Sequence, residues 1–387
     1  MKRAVLFIFT LLTLTLVVED AYGQTRRDAR QRERQIRRNL RNQANFSGNR
    51  SFALPPSQRR IGVGVALNSF NYFGDLSPTS NFYSTDISFT RPGFGALVNY
   101  RAFSNRIDTD FAFNWGTLRG DDFSSSDPDD EGARYNHIRN MSFRNQIYEF
   151  SVGAKVFLFE DGDGGTLQRR LLNPYVHLGG AIFYHNPQAQ VPEFDMINNY
   201  NAAAGVFSRV AITEETHGAN PGDWVSLRPL RTEGQGIVAG RNPYSLIQGA
   251  LVGGMGVRYR LLEYVDLSFD INIRYLFTDY IDDVSTTYVD LGLLESDLAR
   301  VMSDRSLENL EEFGGTLSDE YIRGLYPEKF QEYVSEGNGE TYAILPGRGR
   351  SSDLNQRGNP SNDIYYIASF KLVYILGGSL KTSNQFR

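Results

Sequence analysis

Asp75, Asp279, Asp282 and Asp283 are the residues whose type and spacing bear most directly on chemistry. Clustered carboxylate oxygens are the ligand set a Ca²⁺ ion takes. Asp75 joins the other three only if the segments ending near residues 73 and 277 open onto one rim. A second role competes: turn aspartates hydrogen-bond nearby backbone and hold a loop base in shape. The turn-rich surroundings favour that role. Asp161-Gly162-Asp163-Gly164-Gly165 begins like a calcium loop but lacks an acidic twelfth position, so it reads as a tight turn.

A larger set is spread along the chain. Asp108, Asp110, Glu149, Asp266 and Asp270 stand against Arg101, Lys155, Arg258, Arg274 and Lys371, five of each sign, every one at the polar positions of an alternating segment. A closed interior requires such balance, because an unpaired buried charge is very costly. His177, with Asn99, Asn114 and Asn272, would complete the network. Catalysis has no frame here. The histidines His137, His177, His185 and His217 lack metal-ligand spacing, and no nucleophile motif surrounds the serines. Val252-Gly253-Gly254-Met255-Gly256 lies inside a strand pattern, where glycines mean packing rather than phosphate binding. The chain contains no cysteine, which removes disulfides and thiolate sites. No enzyme activity and no cofactor are expected.

The elements that must position these charges are strands. Val265 to Tyr275 alternates bulky apolar and polar residues without a slip, a period of two that makes one face apolar and the other wet. Eight such segments are expected: 60–72, 90–103, 106–118, 141–159, 173–185, 244–261, 264–277 and 361–376. Their connections alternate between short turns and long loops at 73–89, 119–140, 186–243 and 278–360. That alternation is the pattern of an outer-membrane barrel.

Two features put the polar face inside. Gly62, Gly64, Gly95, Gly116, Gly153, Gly179, Gly254 and Gly256 fall on it, and the interior of an eight-stranded barrel is just wide enough for side chains. The balanced charges are the second. The opposite face carries Val63, Val65, Leu67, Val98, Phe111, Phe113, Trp115, Phe150, Val152, Ile271, Ile273 and Phe370. Tyr72, Trp115, Tyr148, Tyr184, Tyr275 and Tyr374 near strand ends would form interfacial girdles.

The first 23 residues read as a signal peptide, with Lys2 and Arg3 before an apolar run and Ala21-Tyr22-Gly23 as the cleavage site. Residues 24–59 form an Arg-rich periplasmic extension, 60–377 the barrel and 378–387 a periplasmic tail. Residues 24–60 carry eleven Arg against Asp28 and Glu33, a balance of +9, whereas Asp279 to Glu340 holds sixteen Asp or Glu and four Lys or Arg, a balance of −12. The arm is expected to be solvated or to dock an acidic partner or membrane surface. The last loop is expected to be a solvated acidic cap with helices at Leu291–Met302, Ser306–Phe313 and Pro327–Val334.

Several runs resemble a Bacteroidota family of outer-membrane barrels related to the PorG-type barrel of the type IX secretion system. They are Asn71-Tyr72-Phe73-Gly74-Asp75-Leu76, Tyr275-Leu276-Phe277-Thr278-Asp279-Tyr280-Ile281-Asp282-Asp283-Val284-Ser285, Ser303-Asp304-Arg305-Ser306 and Arg357-Gly358-Asn359-Pro360. The resemblance implies an eight-stranded barrel, no enzymatic activity and an association with a periplasmic secretion ring. Loops 3 and 4 are larger here than in that family, and the Arg-rich arm is additional.

The expectation is therefore all-β: an eight-stranded antiparallel up-and-down transmembrane barrel with both termini periplasmic and a lumen too full to conduct solutes. Its partners would be outer-membrane lipid and, through the arm, periplasmic secretion-ring proteins, with no nucleic acid. The alternative is a surface barrel whose acidic loops bind ions or extracellular ligands.

Overall fold

The computed structural model describes residues 60–76, 90–126, 134–161, 169–308, 331–345, 348–349 and 355–376. The signal segment, the Arg-rich arm, the tail, Gly162 to Gly165 and most of Ser306–Phe313 lie outside them. Eight long strands make the wall: β1 Arg60–Phe73, β2 Arg91–Ser104, β3 Ile107–Asp121, β4 Ser142–Phe157, β5 Leu172–Tyr184, β6 Ile247–Arg260, β7 Val265–Leu276 and β8 Ile364–Leu376. Each pairs antiparallel with the next, and β1 closes on β8 with Ile61 opposite Leu376 and Phe73 opposite Ile364. The sheet therefore has no open edge around the wall, which satisfies its backbone within hydrocarbon. Among the described residues no helix is long and apolar enough to cross a membrane.

The period-two pattern decides which side chains face where. In β7, Asp266, Asp270, Asn272 and Arg274 are buried while Leu267, Ile271, Ile273 and Tyr275 are exposed. The same division holds around the wall, with Val65, Leu67, Phe113, Phe150 and Phe370 outside and Asp110, Glu149, Lys155 and Lys371 inside. At one level Phe94, Trp115, Tyr148 and Tyr184 stand side by side on adjacent strands. They form a girdle at the long-loop end. Tyr72, expected in that girdle, is instead buried inside at 8% exposure. It shares the parity of Gly62 and Ala66 on β1, so it must face the lumen.

Glycine makes room where the interior is crowded. A side chain at Gly116 would collide with the ring of Phe70, and one at Gly153 with His177.

The long loops build a second body on the rim. Pro187–Gln190 continues the wall upward by pairing with β4 and with Trp224–Ser226. Met196, Ile197 and Phe207 of loop 3 pack with Leu291, Leu294, Ala299, Tyr342 and Leu345 of loop 4 in one buried cluster. The expected helix over Leu291–Met302 is shorter: a 3-10 turn at Leu291–Leu293, then a helix at Asp297–Ser303. Ser296 begins that helix by accepting from the Ala299 amide, which stops the helix from reaching back to residue 291. Pro327–Val334 is not a helix where described: Gln331–Val334 is a strand paired with Thr341–Ile344, its Tyr333 ring 6.0 Å from Tyr342. Nor is the acidity of this loop simply solvated. Asp282, Asp283 and Asp304 are almost fully buried.

Candidate functional site: the filled lumen and the loop base

The eleven expected lumen residues all face inward and are buried, and they sort into three levels. At the short-turn mouth, Asp161 accepts both guanidinium nitrogens of Arg258 at 2.7 and 3.0 Å, Arg101 at 2.5 Å and Arg60 at 3.4 Å. Arg101 also binds Asp108, and Arg169 binds Asp266. At the waist, Lys155 meets Asp110 and Lys371 meets Asp270, each at 2.8 Å. Tyr175 and Asn272 also donate to Asp270, at 2.5 and 2.7 Å. Because the Asn272 amide nitrogen is used there, its oxygen faces His177 and the Nδ1–H of His177 donates to it at 2.8 Å.

At the upper level Glu149 is saturated. It accepts from Arg274 at 2.9 and 3.0 Å, Asn114 at 2.8 Å and Tyr365 at 2.6 Å. A two-pronged guanidinium clamp with two further donors is the arrangement that makes a buried ion pair tolerable. Above it, Phe70, Ile147, Phe183, Leu276 and Ile367 close the bore with apolar side chains.

The loop base lies over this plug. The Tyr72 hydroxyl donates to Asp282 at 2.5 Å and lies 3.5 Å from Asp363. Asp282 and Asp363 also accept backbone amides, from Val284 and Ile281. Asp283 accepts from Thr232 and Tyr244 at 2.5 and 2.6 Å, Asp279 from Ser285 at 2.6 Å, and Asp75 from the Asn359 amide at 2.7 Å. Tyr280 stacks on Tyr244 at 4.9 Å, and the Phe73 ring lies 5.3 Å from Tyr366. Thr278 caps Tyr280 through its hydroxyl, Gly74 leaves the space that Tyr72 and Asp363 fill, and Phe277 faces outward.

Two arginines tie the loops together. Arg139 of loop 2 holds Asp122 through two nitrogens and donates to the carbonyls of Asp75 and Arg357. Arg357 in turn reaches Glu233 of loop 3 at 3.1 Å and the Asp283 carbonyl at 2.7 Å. Burial pushes Asp279 up to about 8, Asp282 to about 7 and Asp283 to about 6. Burial and the neighbouring acids raise Asp363 as well.

Asp75, Asp279, Asp282 and Asp283 thus gather at one rim, but each turns toward hydroxyl and amide donors rather than a shared centre. Among the described residues no group of three or more acidic or histidine side chains is placed to hold a metal ion.

The sequence reading missed Arg60, Asp161, Arg169, Tyr175 and Tyr365 in the lumen. Parity alone places three of them, since Arg60 is in step with Gly62, Tyr175 with His177 and Tyr365 with Lys371. Asp161 and Arg169 lie on the β4–β5 connection, where no periodicity reports direction. Glu233, Arg139 and Asp363 carried no signal, since their partners are distant in sequence.

Residues 54–214 match the family model described as Domain of unknown function (DUF6089). No curated protein matches the chain. Among solved structures it is similar to the outer membrane protein OprG from Pseudomonas aeruginosa, at 8% identity over 82% of this chain and 96% of that one, TM-score 0.32. Neisserial surface protein A gives 7%, 82%, 96% and 0.28. Ail, the attachment invasion locus protein of Yersinia pestis, gives 7%, 82%, 97% and 0.27. The strand pairing and the division of side chains carry the assignment by themselves: the chain is a closed eight-stranded antiparallel barrel of the outer-membrane type, apolar outside and ionic within.

Proposed function

We propose that this protein is a non-enzymatic structural component of the outer membrane, working through the bodies it carries at each end rather than through its bore. The observation that carries this reading is the lumen. Its charges are paired, Lys155 with Asp110 and Lys371 with Asp270 between neighbouring strands and Arg274 with Glu149 across the bore, and Phe70, Ile147 and Phe183 seal it above, so neither solutes nor a substrate has a path through. A belt with Val65, Leu67, Phe113 and Phe370 exposed suits lipid contact. The ordered loop body would face outward and the Arg-rich arm the periplasm.

Within that role we favour an envelope component similar to the PorG-type barrel of type IX secretion, with the arm meeting periplasmic secretion-ring proteins. The motif runs around Tyr72 and Asp282 and the +9 balance of residues 24–60 support it. Cross-linking in intact envelopes followed by mass spectrometry tests it. Links from residues 24–60 to periplasmic ring proteins are expected. Links confined to the outer loops and surface material would overturn the secretion role.

A further inference from the structure

Up the outer face of β3 and β4 the paired residues change character in regular steps. Phe113 stands opposite Phe150, Trp115 opposite Tyr148, Thr117 opposite Gln146 and Arg119 opposite Arg144. Apolar, aromatic, polar and cationic levels thus follow one another toward the long loops. A strand leaving hydrocarbon for headgroups meets environments in that order. Four residues put the arginine level about 13 Å along the strand from the girdle, or roughly 10 Å along the normal for a strand tilted by about 40°. The step to cations is local: on β7 and β8 the outward pair at the loop end is Tyr275 and Ile364.

Like charges directly opposite on adjacent strands, rooted about 5 Å apart, repel each other. Asp121 lies 3.8 Å from Arg119, with the two side chains 20% and 40% exposed, so that pair is loose and weak. Arg144 is held in place. Its guanidinium sits 3.9 Å over the Trp224 ring, and its Nε donates to the side-chain oxygen of Gln188 at 3.1 Å. Its two terminal nitrogens meet no acceptor among the described residues. A guanidinium fixed by its back edge and open at its front suits a phosphate oxygen pair.

We propose that Arg119 and Arg144 clamp the phosphate of an anionic lipid headgroup in the outer leaflet. Charge complementarity selects the anion, and continuity with the lipid-facing belt selects a lipid. Its acyl chains would lie along Phe113 and Phe150 while its phosphate meets the two guanidiniums. The site rests on the reading that the long-loop end faces outward and stands apart from the secretion role.

The test uses the full mature chain folded into phosphatidylcholine vesicles, with phosphatidic acid brominated in its acyl chains as the probe. The protein's two tryptophans report it, Trp115 in the girdle and Trp224 under Arg144. Stronger quenching than by the same fraction of brominated phosphatidylcholine is expected. Arg119→Gln, which leaves the Trp224 stack in place, should lower the relative affinity roughly fivefold. Adding Arg144→Gln should bring quenching down to the bulk value. Arg106→Gln, at the opposite mouth where Arg106 pairs with Glu160, should change nothing. Heat-modifiable gel mobility shows that each variant is folded, so a folded barrel without lipid preference removes the site and leaves the barrel reading standing. That result also follows if the carboxylates at 127–131, outside the described residues, already hold the arginines. An excess abolished by inorganic phosphate at constant ionic strength assigns a free anion and overturns the lipid; an excess that survives in the double variant overturns the site.

Discussion

The hydroxyl of Tyr72, next to last in β1, donates at 2.5 Å to the carboxyl of Asp282, 210 positions later in loop 4. This bond, with Asp363 beside it, fastens the loop body to the barrel wall. Tyr72→Phe should leave the barrel intact and cost the cap about 1–2 kcal/mol. Hydrogen exchange is the appropriate measurement, with faster exchange expected at Ile281 and Val284 and none added in β2 or β3. Uniform acceleration would mean that the bond belongs to global stability instead.

The loop base should also depend on pH. Asp279, Asp282 and Asp283 are raised by burial to about 8, 7 and 6, above the ordinary value near 4 of an unfolded aspartate. The folded state then binds more protons than the unfolded one between those limits. Its stability is full below about pH 4 and falls as pH rises through 6 to 8. Limited proteolysis of the loops should be slower at pH 5 than at pH 9, and Asp282→Asn should flatten part of that difference. Equal rates at both pH values would count against the assignment.

Glu149 and Arg274 provide a test of the lumen. Arg274→Met leaves a saturated carboxylate without its cation and should destabilise by about 3–5 kcal/mol. Adding Glu149→Gln should restore a large part of that loss. Urea unfolding in detergent, followed by tryptophan fluorescence, measures both. Equal losses from the single and double variants would show that the pair is not coupled.

Outward polarity is checked at Phe113, which faces Phe150 across β3 and β4 near the middle of the wall. Phe113→Arg should cost about 2–4 kcal/mol of folding in a bilayer. In vesicles of graded thickness the cost should fall as the substituted level approaches the interface. A soluble barrel would tolerate the change.

Much of this was readable in the residues. Alternation in Val265–Tyr275 fixes the strand, and its parity fixes Asp266, Asp270 and Arg274 as interior and Ile271 and Ile273 as exterior. Parity also places Tyr72 inside, against the pull of its aromatic character toward a girdle. The loops were less legible because their folding is tertiary. Gln331–Val334 follows a proline that suits a helix start, yet it pairs as a strand with Thr341–Ile344. The Arg357–Glu233 bond joins loop 4 to loop 3, and Arg139, paired with Asp122 within loop 2, reaches the distant carbonyls of Asp75 and Arg357, so no local spacing announces these contacts. Asp161 is the hub of the mouth, but in the sequence it opens a glycine-rich run whose composition signals only a turn.

Ile61 lies opposite Leu376, and this closing seam has a consequence in time. The other wall pairs form between strands that are successive in the chain, whereas β1 must wait for β8. Until then its row of unpaired N–H and C=O groups is an exposed template for wrong partners. Such a distant pairing is also slow to form. A chain cut before residue 364 would not be a slightly narrower barrel; it would be a sheet with two sticky margins. The interval between formation of the first strand and arrival of the last is when the chain is most open to wrong pairing.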